Sequence, residues 1–174
     1  MVSPRWRVIL GLLLFVAPVG LPGQVPLVVT GFAGAAFNTD ENTPSEGGGG
    51  FSYQTEVGLR FRHVSFGGEF GQHSTGGDFK TRVFGGFARF PSYLGDGRVQ
   101  IYLALGLGAY QFSPSGGKSS TTMGGSLGPG VSFGLRGSPV AFNLEARFHS
   151  TFDRLPTINQ QQFVSALGGV ELRF

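Results

Sequence analysis

The first residues whose types could do chemistry are two histidines beside hydroxyls. Phe148-His149-Ser150-Thr151 sets an imidazole next to two hydroxyl groups, and His73 precedes Ser74. A hydrolase of this kind needs the hydroxyl, the imidazole and an orienting carboxylate within hydrogen-bond reach of one another. On a strand, adjacent side chains point to opposite faces, so His149 shares a face with Thr151 and not with Ser150. The carboxylate nearest in sequence is Glu145, roughly 13 Å away along a strand at ~3.3 Å per residue. No triad is expected from this spacing. Gly117-Lys118-Ser119 imitates the end of a phosphate-binding loop, but Phe112 stands at the motif's first glycine and no helical pattern follows. Gly106-x-Gly108 lacks a third glycine. The stretch Asn38 to Gly50 carries three acids that could hold calcium weakly, and a solvated surface loop accounts for it better. With no cysteine there is neither a disulfide framework nor a thiolate metal site. No catalytic, cofactor-binding or metal-ligating set is therefore expected.

The composition explains why chemistry is sparse. Glycine fills 31 of 174 positions and charged residues only 13%, against about 25% charged in an average soluble domain. The 18 phenylalanines and the 40% hydrophobic share exclude disorder through lack of apolar residues. Few residues favour helix. The formal charge is +3, and it falls to +1 without Arg5 and Arg7, which sit in a leader-like segment. That balance, with no basic stripe, argues against a nucleic-acid partner.

Arg5 and Arg7 precede the apolar run Val8 to Val16, and Pro18, Gly20 and Pro22 then break any helix. This is the layout of a secretory signal peptide, and the run is about half the ~20 residues a membrane-spanning helix needs. We expect residues 1–23 to be removed and a mature domain to occupy 24–174.

Behind the leader the elements that must position any site repeat with a period of two. Phe51, Tyr53, Thr55, Val57, Leu59 and Phe61 alternate with small or charged residues, as do Val99 to Ala109, Val140 to Phe148 and Val164 to Phe174. Strands are expected near 28–37, 51–61, 64–72, 79–90, 98–112, 122–136, 139–149 and 162–174. Large apolar residues share one face, while Gly, Ser and a few Glu and Arg share the other. A soluble barrel needs a solubilising charged exterior, and this polar face is too poor in charge to be one. A transmembrane barrel reverses the arrangement: bulk faces lipid and the small, polar face lines a narrow lumen. Eight such strands match the span length, and closure pairs every backbone group. Links at 38–50, 73–78, 113–121 and 150–161 run 13, 6, 9 and 12 residues, against 2, 7 and 2 for those at 62–63, 91–97 and 137–138, the asymmetry expected of outer loops against periplasmic turns. Gly137-Ser138 suits a type II′ turn. Pro129 falls inside the sixth strand, where a bulge or kink is expected. Phe37, Phe51, Tyr53, Tyr110, Phe112, Phe148 and Phe152 read as one aromatic girdle, and Phe61, Phe66, Phe90 and Phe174 as the other.

These strands, with the ending Gly169-Val170-Glu171-Leu172-Arg173-Phe174, resemble the small eight-stranded outer-membrane barrels of the OmpA/OmpX type. The ending resembles the β-signal of such proteins, in which Gly169, Leu172 and Phe174 would be read by the β-barrel assembly machinery. The resemblance covers the whole mature chain. It implies an all-β, up-and-down barrel in the bacterial outer membrane with both termini periplasmic, in contact with outer-membrane lipid, and with loops open to an extracellular ligand. Some barrels of this size are lipid-modifying hydrolases, but the spacing of His149 argues for a histidine at the lumen rim. The role implied is structural or surface-interacting, with a narrow pore for ions or small solutes as the alternative. Inward glycines on strands five and six would leave room for water in such a pore.

Register gives one further expectation. With Arg62-His63 as the turn, Glu56 lies opposite Glu69, and two facing like charges need a cation. With 73–78 as the next loop, Gln72 pairs with Phe79 and Glu69 faces Arg82. Gly106 and Gly128 then leave space for a guanidinium. A lumen ion network of Glu56, Glu69 and Arg82 is expected, joined by Arg60, Arg147 and Glu145.

Overall fold

The computed structural model describes residues 26–39, 49–75, 80–95, 97–113, 119–152 and 161–174. It contains eight strands: β1 (Leu27–Asn38), β2 (Gly49–Arg60), β3 (Ser65–Ser74), β4 (Lys80–Leu94), β5 (Val99–Ser113), β6 (Ser120–Gly134), β7 (Val140–Thr151) and β8 (Gln162–Arg173). Each pairs antiparallel with its sequence neighbours, and β8 closes on β1. The all-β antiparallel barrel is therefore as the alternation requires. The leader and its cleavage point, the acids of the 38–50 loop and most of the Gly117-Lys118-Ser119 stretch lie outside the described residues.

The registers fix the size of the lumen. Stepping from Leu27 to Leu59, Phe66, Ala88, Leu105, Leu127, Phe148 and Val164 returns to β1 at Phe37, ten residues along. A shear of ten over eight strands tilts them by about 41° and gives a backbone radius of about 8 Å. Side chains of ordinary size fill such an interior.

Exposure is inverted relative to a soluble protein. Phe51, Leu107 and Leu144 are 65%, 63% and 57% exposed, while all four described glutamates are buried. In water this surface would drive aggregation; in hydrocarbon it is the favourable arrangement.

The short turns differ in detail. The Phe61 amide donates to the Val64 carbonyl at 2.7 Å, closing the β2–β3 link across Arg62-His63. Between β6 and β7 the Ser138 amide donates to the Leu135 carbonyl at 3.2 Å, and Gly137 takes φ 68°. The reversal is therefore centred on Arg136-Gly137, with glycine at the third position where φ must be positive. It is not the expected type II′ turn starting at Gly137. Pro129 also acts differently from expectation. Pairs on both sides of it, Leu127↔Phe148 and Gly130↔Glu145, keep one register, so no bulge is inserted. The ladder is simply interrupted there, because proline has no N–H to donate.

Candidate functional site: the sealed lumen

Alternation along each strand sends one set of residues inward, and the tilt stacks them in three layers. At the loop end, Ala36, Val83, Tyr110, Phe112 and Phe163 form a buried apolar cluster. Tyr110 and Phe112 were expected in the outer girdle; their even positions on β5 point them into the barrel instead. His149 stacks on Phe163 with ring centroids 4.3 Å apart, and His73 lies 4.9 Å from His149. His149 pairs with Phe163 across β7 and β8 and is buried beside this cap. Its Nε2 lies 3.0 Å from Ser165 Oγ and its Nδ1 3.2 Å from Tyr110 Oη. Ser52 Oγ lies 2.6 Å from His73 Nδ1. These serine–histidine contacts join residues far apart in sequence, which local spacing does not reveal. Neither histidine has a carboxylate on its second nitrogen, and both lie buried with their serines, so neither contact has the carboxylate–base–nucleophile geometry of a triad.

The middle layer is ionic. Glu56 and Glu69 face each other across β2 and β3. Arg147 answers both: Nη2 reaches Glu56 at 2.6 Å and Nη1 reaches Glu69 at 2.7 Å, while Nε lies 2.5 Å from Glu145. The amide of Gln54 donates to Glu56 at 2.8 Å and to Glu69 at 3.2 Å. The second cation is Arg89, whose Nη2 lies 2.5 Å from Glu56 and 3.3 Å from Glu145. Its guanidinium also sits over Phe32, Phe87 and Tyr102 at 5.1, 5.4 and 5.0 Å. Three aromatic faces and three carboxylates, Glu171 being the third at 3.5 Å, offset the loss of water around this charge.

Arg82 is a correction. It was expected against Glu69, but β3 runs on to Ser74 and the ladder pairs Gln72 with Arg82 and Glu69 with Gly85. Arg82 therefore faces outward, where its Nε donates to Gln72 Oε1 at 3.3 Å. Arg89 takes the inward place. The signal for it was present: if Phe84 and Phe90 face lipid, period two puts Arg89 inside and Arg82 outside. Val83 and Phe87 obscured it, since both are bulky and both point in.

Arg60 points into the lumen, away from Glu56 and Glu69. It belongs to the third layer, at the short-turn end, where it reaches Glu171 at 2.8 Å and Gln100 at 2.6 Å. Arg173 donates to Glu171 at 2.6 Å and to Ser132 at 3.1 Å. Glu171 links this layer to Arg89 at 3.5 Å. The space left among Arg60, Arg89, Gln100, Tyr102, Ser132 and Glu171 is about 10 Å³, one water at most.

The inward glycines make room for side chains, not for water. A Cβ on Gly106 would strike the Glu69 carboxylate and Ser126, and one on Gly130 would strike the Tyr102 ring. Gly128 lies against the backbone of Ala146 and Arg147. Each glycine is the seat of a group arriving from a neighbouring or facing strand.

Closed topology, a shear of ten, an apolar exterior and a charged interior together define the fold of the small outer-membrane β-barrels. The chain resembles neisserial surface protein A over 87% of its length and 100% of that chain, with a TM-score of 0.68 and 21% identity. It likewise resembles the N-terminal β-barrel domain of Pseudomonas aeruginosa OprF, with a TM-score of 0.62 and 11% identity over 87% and 98% of the two chains. A third likeness is to Ail, the attachment invasion locus protein of Yersinia pestis, solved with the heparin analogue sucrose octasulfate. There the TM-score is 0.53 and the identity 16% over 87% and 99%. No protein-family model matches the chain, and no curated protein matches it in sequence.

Proposed function

We propose that this chain is an integral protein of the bacterial outer membrane whose role is structural or surface-interacting, with a lumen that does not conduct. Its termini lie on the periplasmic side, its loops face outward toward an extracellular ligand, and Gly169, Leu172 and Phe174 serve the assembly machinery. The observation that carries the reading is the lumen itself. Four glutamates and four arginines neutralise one another within it, and Tyr110, Phe112 and Phe163 close it at the loop end. A hydrated pore needs a continuous polar path, and the described residues of this lumen offer ions an apolar cap and no unpaired cation. The alternative of a narrow pore loses its main support, since the inward glycines are occupied. The burial of His73 and His149 supports a non-enzymatic role.

Single-channel recording of the refolded protein in planar bilayers tests this. We expect a silent bilayer, and steady ohmic steps at low voltage would overturn the sealed-lumen reading.

A further inference from the structure

Arg82 was expected inside the barrel, and its outward position raises a question of its own. Among the described strand residues, Arg60, Arg89, Arg147 and Arg173 point inward, and so does every glutamate. Lys80 and Arg82 are the exposed, lipid-side cations of the strands. No described carboxylate faces them. A cation on the outer wall of a membrane barrel is tolerated only near the interface, and there it draws on anionic headgroups.

The surroundings of the two cations are ordered in rows. Register places Gln72, Arg82 and Gln111 side by side on β3, β4 and β5, and Ser74, Lys80 and Ser113 one row nearer the loops. Directly below lie Phe70 and Phe84, paired across the strands with ring centroids 5.0 Å apart, and Tyr53, opposite Gln72 on β2, leans to within 6.2 Å of Phe70. Two cations, two amides and two hydroxyls thus sit above a partly exposed aromatic shelf. Elsewhere on the loop-end wall, the described outward residues of β1, β2, β6, β7 and β8 carry no charge. The patch is one-sided, as a binding site is and a general membrane anchor is not.

We propose that the β3–β4–β5 wall holds one molecule of a phosphorylated, multiply acylated glycolipid from the outer leaflet. Lys80 and Arg82 pair with its phosphates, Gln72 and Gln111 hydrogen-bond its sugar oxygens, and its acyl chains lie on Tyr53, Phe70 and Phe84. Arg82 suits the role because a guanidinium meets phosphate through two parallel donors, and Gln72 already holds it in place. The proposal rests on the outward orientation of the loop end given above.

Native mass spectrometry of the barrel refolded in dodecyl maltoside tests it, with diphosphoryl lipid A as the probe. We expect one retained molecule. The pair of substitutions Lys80→Gln and Arg82→Gln should weaken retention at least tenfold, while Arg82→Lys, which keeps the charge, should stay within about threefold. Dephosphorylated lipid A with the same acyl chains, and phosphatidylglycerol, should each bind at least tenfold more weakly. Inorganic phosphate in tenfold excess should not displace the lipid. Substituting Arg62→Gln and Arg136→Gln at the opposite rim should change nothing. Equal retention by the double variant, equal binding of either control lipid, or displacement by phosphate would overturn the proposal. Orientation is read separately, because the chain has no cysteine: Ser119→Cys should react with an impermeant maleimide on intact cells. Labelling only after permeabilisation would overturn the orientation while leaving the affinity in detergent as measured.

Discussion

Arg147 is the side chain whose removal should be felt most. Its guanidinium lies between Glu56, Glu69 and Glu145 at 2.6, 2.7 and 2.5 Å and is buried. Substituting Arg147→Gln leaves two carboxylates facing each other across β2 and β3 with one cation fewer. Breaking a buried pair from one side costs about 3–5 kcal/mol. Arg89 still reaches Glu56 and Glu145, so the lower end, about 3 kcal/mol, is expected. At a urea slope of roughly 2 kcal/mol per molar, that lowers the unfolding midpoint by about 1.5 M. The sign of a second substitution is more telling. In the wild type, Glu69→Gln removes a partner of Arg147 and should destabilise. In the Arg147→Gln background the same change removes a repulsion with Glu56 and should be neutral or stabilising. The coupling should reach about 1–3 kcal/mol, whereas Glu69→Gln combined with Arg82→Gln should be additive within about 0.5 kcal/mol. Trp6, the lone tryptophan, lies outside the described residues of the barrel, so unfolding is better followed by far-UV circular dichroism and by gel mobility of the folded barrel. An unchanged midpoint for Arg147→Gln, or coupling of Glu69 to Arg82 instead of Arg147, would refute the reasoning.

Other consequences follow from the same packing. Gly106→Val should destabilise by about 1–3 kcal/mol, since its side chain would meet the Glu69 carboxylate and Ser126; a wild-type urea midpoint would show that the seat is not needed. Pro129→Ala supplies a ladder donor opposite Ala146 and should stabilise by about 1 kcal/mol, with faster hydrogen exchange around that pair as the contrary result. Deleting Phe174 should reduce delivery to the outer membrane in cells far more than it reduces stability after refolding in detergent. Equal loss in both measurements would assign Phe174 to packing, not to recognition.

Period two along the chain determined most of the barrel. Strand number, antiparallel order and the inversion of exposure are all local properties, because each strand carries its own two faces and neighbouring strands are joined directly. Glu56 opposite Glu69 was legible for the same reason: a two-residue link at Arg62-His63 fixes the register of that hairpin. The 73–78 link did not fix the register of the next one. Its length in sequence does not say how far β3 continues before turning, and the strand runs on to Ser74. That difference exchanged Arg82 for Arg89 inside the lumen. Period two alone could have warned of it through Phe84 and Phe90, but β4 has bulk on both faces. The tertiary structure alone decided which inward groups meet. Tilt and the shear of ten carry Arg147 of β7 to Glu56 and Glu69 of β2 and β3, and Arg89 of β4 to Glu171 of β8. Contacts across a lumen depend on how the whole sheet closes, and closure is a sum over all eight registers, not a property of any one segment.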